Sequence, residues 1–199
     1  MFNYGLAILP SQIGNNIDLI KGHTKELIDK CTYIHFDQFG GQAPGKLILK
    51  DQKAGIGCTW GYRFETRCSD ATEDIPQGGV DATMALMIDF QAMERHAIIQ
   101  ANQNWRGHIT KVKYVPSIHL GDTQASYVHR MQEHACVPYG FITSEGWYPQ
   151  PEHLHHGEIT SAWYEWKQEF QTYWETIDPY SWVVLFNYEP ITPVKDDIL

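Results

Sequence analysis

The chain has 199 residues, of which 24 are acidic and 15 are lysine or arginine, giving a formal net charge of −9. This length suits one domain or two closely fused lobes with a sizeable core. The acidic balance argues against a long nucleic-acid partner, because neutralising many phosphates requires a basic face.

The cysteines and the N-terminus indicate where the protein works. The four cysteines show no C-x-x-C spacing, which disfavours a zinc knuckle or a disulfide framework and suits reduced thiols. The N-terminal run FNYGLAILPSQ lacks a basic segment and is too short for a signal peptide or a membrane span. We therefore expect a soluble, cytoplasmic protein with no membrane partner.

The first part of the chain is typical of a strand, a helix and two or three further strands. Residues 4–9 form an apolar run stopped by Pro10, and helical apolar spacing follows from Ile17 to Ile28. A second strand is predicted over 32–36. After a glycine-rich turn at 40–45, further strands are predicted over 46–49 and about 55–66. The acidic, turn-rich stretch at 68–79 is the predicted boundary between halves.

The second part begins with the same order of elements. We predict a strand over 83–90, a helix over about 91–103 and a strand over 108–115, stopped by Pro116. A closing strand is predicted at 181–189, with helices near 123–134 and 160–177 in the intervening insert. The predicted fold is α+β, a single domain of two β-α-β-β lobes around a central cleft. Residues 1–70 form the first lobe, residues 80–116 and 181–190 the second, and residues 117–178 a helical, aromatic-rich insert.

Two tripeptides carry the candidate chemistry. His108-Ile109-Thr110 lies in the second predicted lobe, and His35-Phe36-Asp37 occupies the corresponding place in the first. Residues two apart on a strand point to the same side, so His108 and Thr110 would share one face. A strand with an ordinary solvent-exposed face explains the same pattern.

This arrangement resembles the LigT-like superfamily of two-histidine phosphoesterases, whose mark is a pair of H-x-T/S motifs. The run MALMIDFQAMERHAIIQANQNWRGHITKVKY is similar to the second half of phage-encoded members that cut cyclic oligonucleotides. The resemblance implies a phosphodiesterase that needs no metal or cofactor, with His35 and His108 as general base and acid in either order and Thr110 binding the phosphate. Imidazole suits both roles, because it titrates near neutral pH.

The first motif departs from the family pattern at Asp37, which stands where a threonine or serine is expected. A carboxylate would repel a phosphate unless a cation offsets it, although it could instead orient the imidazole of His35. Two functions therefore stay open: hydrolysis of a small cyclic or short oligonucleotide, or its sequestration by a catalytically altered protein. In a phage, either would serve as counter-defence.

The predicted substrate-binding residues are one cation and three aromatic side chains. Arg106 is expected in the loop before the second motif, where it could reach a phosphate. Trp105, Tyr62 and Phe64 could stack on a base, although core packing explains Tyr62 and Phe64 as well.

Two other features have competing explanations. In the segment EHLHHGE, His153, His155 and Glu158 could hold a metal ion in an alternative, metal-dependent enzyme, whereas an exposed histidine-rich loop explains the same residues. An aromatic stripe follows helical spacing and predicts a helix face packed on the sheet, with a stacking wall or dimer surface as the alternative. Its members are Trp163, Trp166, Phe170, Tyr173 and Trp174.

Overall fold

The structure is a computed structural model that describes residues 3–36, 42–49, 64–67, 81–112, 115, 117–151 and 159–191. These ranges contain four α-helices and seven strands, which confirms the α+β class. The strands are β1 (Asn3–Leu9), β2 (Thr32–Phe36), β3 (Gln42–Leu49), β4 (Ala82–Met84), β5 (Gly140–Thr143), β6 (Gly146–Pro149) and β7 (Trp182–Ile191). The helices are α1 (Ile17–Lys30), α2 (Phe90–Ile109), α3 (Gln124–Glu133) and α4 (Ser161–Thr176). No helix among the described residues is long and apolar enough to cross a membrane.

All seven strands belong to one sheet with the order β2-β3-β7-β1-β5-β6, and β4 also pairs with β7. β7 is the central strand, because β1 pairs antiparallel along one edge while β4 and β3 share the other. β5 lies parallel to β1 and continues into β6 through a hairpin. The lobe arrangement expected from sequence is not confirmed, since strands from both predicted lobes and from the insert contribute to this one sheet.

The sheet is covered by helices on both faces. Alternation along β1 sends Ala7 and Leu9 toward α1, where they join one buried cluster with Ile20 and Ile28. Residues of the opposite parity, Leu6 and Ile8, face a second cluster formed mainly with α2 and α4. The aromatic stripe of α4 packs there: Trp163, Trp166 and Phe170 are buried, which confirms its prediction as a core face.

The sheet is strongly curled on the α1 side. β2 and β6 lie at opposite ends of the strand order, yet they contact each other. The rings of Trp147, Phe186 and Tyr188 cluster on this face, and Trp147 meets Tyr188 edge-on at 4.9 Å between centroids. Gly5 and Gly140 lie beneath the Phe186 and Trp147 rings, where a Cβ atom would come within 2.6 and 2.3 Å of them. Glycine is therefore required at both positions to admit the rings.

Polar caps define where the helices begin. The side chain of Asn16 accepts hydrogen bonds from Asp18 and Leu19 at the start of α1, and Asp89 caps α2 through Ala92. Thr123 and Ser126 form a reciprocal capping box at α3. These caps satisfy backbone N–H groups that have no partner inside the helix.

Two predicted strands are wrong. Residues 108–109 continue α2, so the strand expected over 108–115 does not begin there; Gly107 lies inside the helix and does not interrupt it. The strand expected over 83–90 is confined to Ala82–Met84, because a short 3₁₀ turn follows at Ala85–Met87 and α2 then begins. The hairpin of β5 and β6 was not predicted, since its residues read as a loop.

Candidate functional site

The C-terminal end of α2 has a defined backbone geometry. The N–H of Val112 donates to the carbonyl of Gly107, and the N–H of Lys111 donates to that of His108, each at 3.0 Å. This pair of bonds is a Schellman motif, in which the residue after the helix adopts the left-handed conformation. Lys111 occupies that position with φ of 57°. The motif turns the chain away from the helix axis directly after Thr110.

The hydroxyl of Thr110 is engaged by the helix end. Its Oγ1 lies 2.8 Å from the carbonyl oxygen of Arg106 and 3.2 Å from that of Gly107, so the hydroxyl donates to the backbone. Residues two apart on a helix point about 200° apart, which separates Thr110 from His108. The prediction that these two side chains share a face is therefore corrected.

A row of aromatic and cationic side chains links α2 to α3. The ring of His108 lies 6.3 Å from that of Trp105, and Trp105 lies 6.1 Å from Tyr127, centroid to centroid. The guanidinium carbon of Arg130 lies 5.7 Å from the centre of the Tyr127 ring. We call these four residues the aromatic ladder. His108 and Trp105 are partly exposed while Tyr127 is fully buried, so the ladder opens to solvent at its α2 end.

The inner end of the aromatic ladder is fixed by an ion pair. Nη1 and Nη2 of Arg130 donate to the two carboxylate oxygens of Asp122 at 2.9 and 2.6 Å, and Nη2 also donates to the carbonyl of Ser117. The Arg130 guanidinium holds the pKa of Asp122 down, at about 2, and the hydrogen bond from the backbone N–H of His119 acts in the same direction. Three charge-assisted bonds thus attach the α2–α3 loop to α3.

Trp105 lies between a histidine and an arginine around the circumference of α2. Helical geometry places His108 about 60° to one side of Trp105 and Arg106 about 100° to the other. Arg106 therefore lies in the last turn of the helix and not in a preceding loop, which corrects its predicted position. Its side chain is exposed, and no carboxylate among the described residues forms an ion pair with it.

The segment that carries the aromatic ladder differs in formal charge from the rest of the chain. Residues 95–134 contain five lysines or arginines, two acidic residues and five histidines, giving a formal charge of +3. The remaining residues therefore carry −12, since the whole chain carries −9. Of the two acidic residues in this region, Asp122 pairs with Arg130 and Glu133 with Lys167. The segment that carries the aromatic ladder is therefore cationic in formal charge.

Other predicted site residues are placed elsewhere. Phe64 is 1% exposed within the main core cluster, so its ring has no face for a ligand and its predicted stacking role is corrected. His35 lies on β2, opposite Ala43 of β3, as its strand prediction required. Five further candidates lie outside the described residues: Asp37, Tyr62 and, for the metal alternative, His153, His155 and Glu158. No group of three potential metal-ligating side chains occurs in the described ranges.

Neither described cysteine is suited to nucleophilic chemistry. Burial raises the pKa of the Cys136 thiol to about 12, and the carboxylate of Glu94 acts in the same direction. The Cys136 thiol donates to the carbonyl of Phe90 at 3.4 Å. Burial also raises the pKa of Cys31. Because the thiolate is the reactive form, both side chains behave as packing residues at neutral pH.

Tyr127, Arg130 and Asp122 were not predicted from the sequence. Tyr127 and Arg130 are three residues apart on α3, a spacing that places both on one helix face. That signal was present in the sequence, but their pairing with Trp105 depends on how α3 packs against α2, which local patterns do not give.

No family model matches this chain, and no curated protein or solved structure is significantly similar to it. The resemblance to two-histidine phosphoesterases therefore stays a prediction.

Proposed function

We propose that the protein binds a small phosphorylated nucleotide, such as a cyclic or short oligonucleotide, at the open end of the aromatic ladder. The observation that carries this proposal is the proximity of the partly exposed rings of Trp105 and His108 on a segment of positive formal charge. A nucleobase can stack on an indole or imidazole ring, and a phosphate is attracted by nearby cations.

The geometry assigns different tasks to the neighbouring side chains. Trp105 offers a ring that is supported from behind by Tyr127, so a base stacking on it meets a surface already held in place. Arg106 lies on one side of Trp105 and His108 on the other, and both can donate hydrogen bonds to phosphate oxygens. A compact ligand suits this surface better than a polymer, because the rest of the chain is strongly acidic.

Binding is better supported than hydrolysis by the present geometry. The paired-histidine mechanism requires His35 and His108 on one cleft, with a hydroxyl at Thr110 facing the phosphate. Thr110 instead donates its hydroxyl hydrogen to helix carbonyls. The phosphodiesterase therefore stays a prediction, and nucleotide sequestration is the function we favour.

Calorimetric titration of the full chain with a panel of nucleoside monophosphates and cyclic di- and trinucleotides tests the proposal. We expect saturable binding of at least one member and recovery of that ligand unchanged by chromatography. Turnover that is lost in both His35→Ala and His108→Ala would establish the phosphodiesterase instead. Absence of binding by the whole panel would contradict the proposed function.

A further inference from the structure

The loop between α2 and α3 presents a leucine at the tip of a rigid turn. The N–H of Asp122 donates to the carbonyl of His119 at 3.1 Å, and Gly121 has φ of 94°, which defines a type II turn with Leu120 at its second position. The Asp122 carboxylate accepts from the backbone N–H of His119 at 2.6 Å and is itself held by Arg130. The turn at residues 119–122 is therefore fixed before any partner binds.

Leu120 is fully exposed at this tip, at 107% of its reference area. Val112, at 84%, and Ile109, at 58%, are exposed around the end of α2 and the start of the same loop. Lys111, also exposed, lies between them in the chain. We call Ile109, Lys111, Val112 and Leu120, which are all exposed at the end of α2 and in the segment that follows it, the loop surface. Such a combination is typical of a docking surface.

The solvent face of α4 has the complementary charge. Glu165, Glu169 and Glu175 are exposed there, and Tyr164 is 47% exposed beside them. Lys167 is the single lysine or arginine of α4, and it pairs with Glu133 at 2.8 Å. No cation among the described residues forms an ion pair with the three glutamates. This face is therefore an acidic surface with one aromatic side chain available for apolar contact.

We propose that the loop surface of one copy docks against the solvent face of α4 in a second copy. Lys111 would meet the glutamates while Leu120 packs on Tyr164, so apolar burial and charge complementarity act together. A two-fold axis would let two copies exchange this contact reciprocally. The proposal does not depend on nucleotide binding, which uses Trp105 and His108.

Sedimentation velocity of the full chain over a dilution series at physiological salt measures this association. We expect a reversible dimer whose dissociation constant rises about tenfold or more in Leu120→Asp and in Lys111→Glu. Leu19→Asp is the matched control, because Leu19 is an exposed leucine on α1, across the sheet from α2 and α4. Circular dichroism and melting temperature verify that each variant is folded.

Charge reversal between copies makes the test specific. The double variant with Glu165→Lys and Glu169→Lys should by itself form a weaker dimer. Mixing it with Lys111→Glu should restore association, because each variant then presents the charge that the other lacks. A chain that stays monomeric throughout the series would overturn the proposal, as would a dimer unchanged by Leu120→Asp. Leu120-dependent binding to vesicles of phosphatidylserine and phosphatidylcholine, without self-association, would assign the surface to lipid instead and overturn it equally.

Discussion

The guanidinium of Arg130 donates two hydrogen bonds to the carboxylate of Asp122, and both side chains are nearly buried, at 12% and 9% exposure. This ion pair connects the aromatic ladder to the α2–α3 loop, because Arg130 also lies over the Tyr127 ring and contacts the carbonyl of Ser117. One interaction thus positions both the proposed nucleotide site and the proposed docking loop.

Loss of Arg130 should destabilise the protein substantially. Arg130→Met leaves the Asp122 carboxylate partly buried without its cation, which costs about 3 kcal/mol of unfolding free energy. Urea denaturation monitored by circular dichroism measures the change. Lys30→Met is the control, because the Lys30–Glu26 pair is 3.9 Å long and exposed; we expect a change within about 0.5 kcal/mol there. Equal effects of the two variants would contradict the structural role of Arg130.

The same ion pair predicts an acid dependence. The pKa of Asp122 is lowered from 3.8 to about 2 in the folded chain, so the folded state favours the ionised form. Its contribution, about 1 to 2 kcal/mol, is present above pH 3.8 and is lost as the pH falls through about 2. Urea midpoints measured across this range should fall more steeply for the native chain than for Asp122→Asn. Identical pH profiles would show that Asp122 is not coupled to folding.

Replacing the glycines beneath the aromatic rings of the curled sheet with alanine should destabilise the protein. Gly140→Ala places a Cβ atom 2.3 Å from the Trp147 ring, and Gly5→Ala places one 2.6 Å from Phe186. Overpacking of this kind costs about 1 to 3 kcal/mol. Gly22→Ala, with nothing within 4 Å on an exposed part of α1, should instead stabilise by about 0.5 to 1 kcal/mol. Thermal denaturation of the three variants separates these signs.

A glycine in place of Lys111, just after α2, should stabilise the protein. Lys111 adopts φ of 57°, which costs a non-glycine residue roughly 1 kcal/mol. Lys111→Gly should therefore raise the unfolding free energy by up to about 1 kcal/mol, whereas Lys111→Ala should not, because alanine keeps the strained Cβ. Chemical denaturation of both variants distinguishes strain from the removal of charge. Equal stabilisation by both would assign the effect to charge.

Sequence patterns predicted much of the fold where the signal is local. Apolar spacing located α1, α3 and α4, and the strand at Thr32–Phe36 was predicted with its observed bounds. They failed at the end of α2, because a Schellman motif usually carries glycine and here carries Lys111. With no glycine after residue 109 to mark the observed end, the helix was predicted to stop at about residue 103 and the H-x-T tripeptide to start a strand.

The pairing of the strands could not be predicted from the sequence for a different reason. β5 pairs with β1 across more than 130 positions of sequence, through Leu6 opposite Phe141 and Ala7 opposite Ile142. Nothing local in GFIT and GWYP distinguishes a hairpin from a loop, since four-residue strands carry little periodicity. Of the candidate site, Trp105, Arg106 and His108 were named from the sequence. Tyr127 and Arg130 on α3 were not, because their contact with Trp105 depends on how the two helices pack.

The most direct test of the central claim is the affinity of Trp105→Leu for the nucleotide that the native chain binds most tightly in the calorimetric panel. Loss of base stacking should weaken binding by about 1 to 3 kcal/mol, or roughly 5- to 150-fold. Tyr180→Leu, which removes an exposed ring after α4, should leave the affinity unchanged. If Trp105→Leu binds as tightly as the native chain, the aromatic ladder is not the nucleotide site.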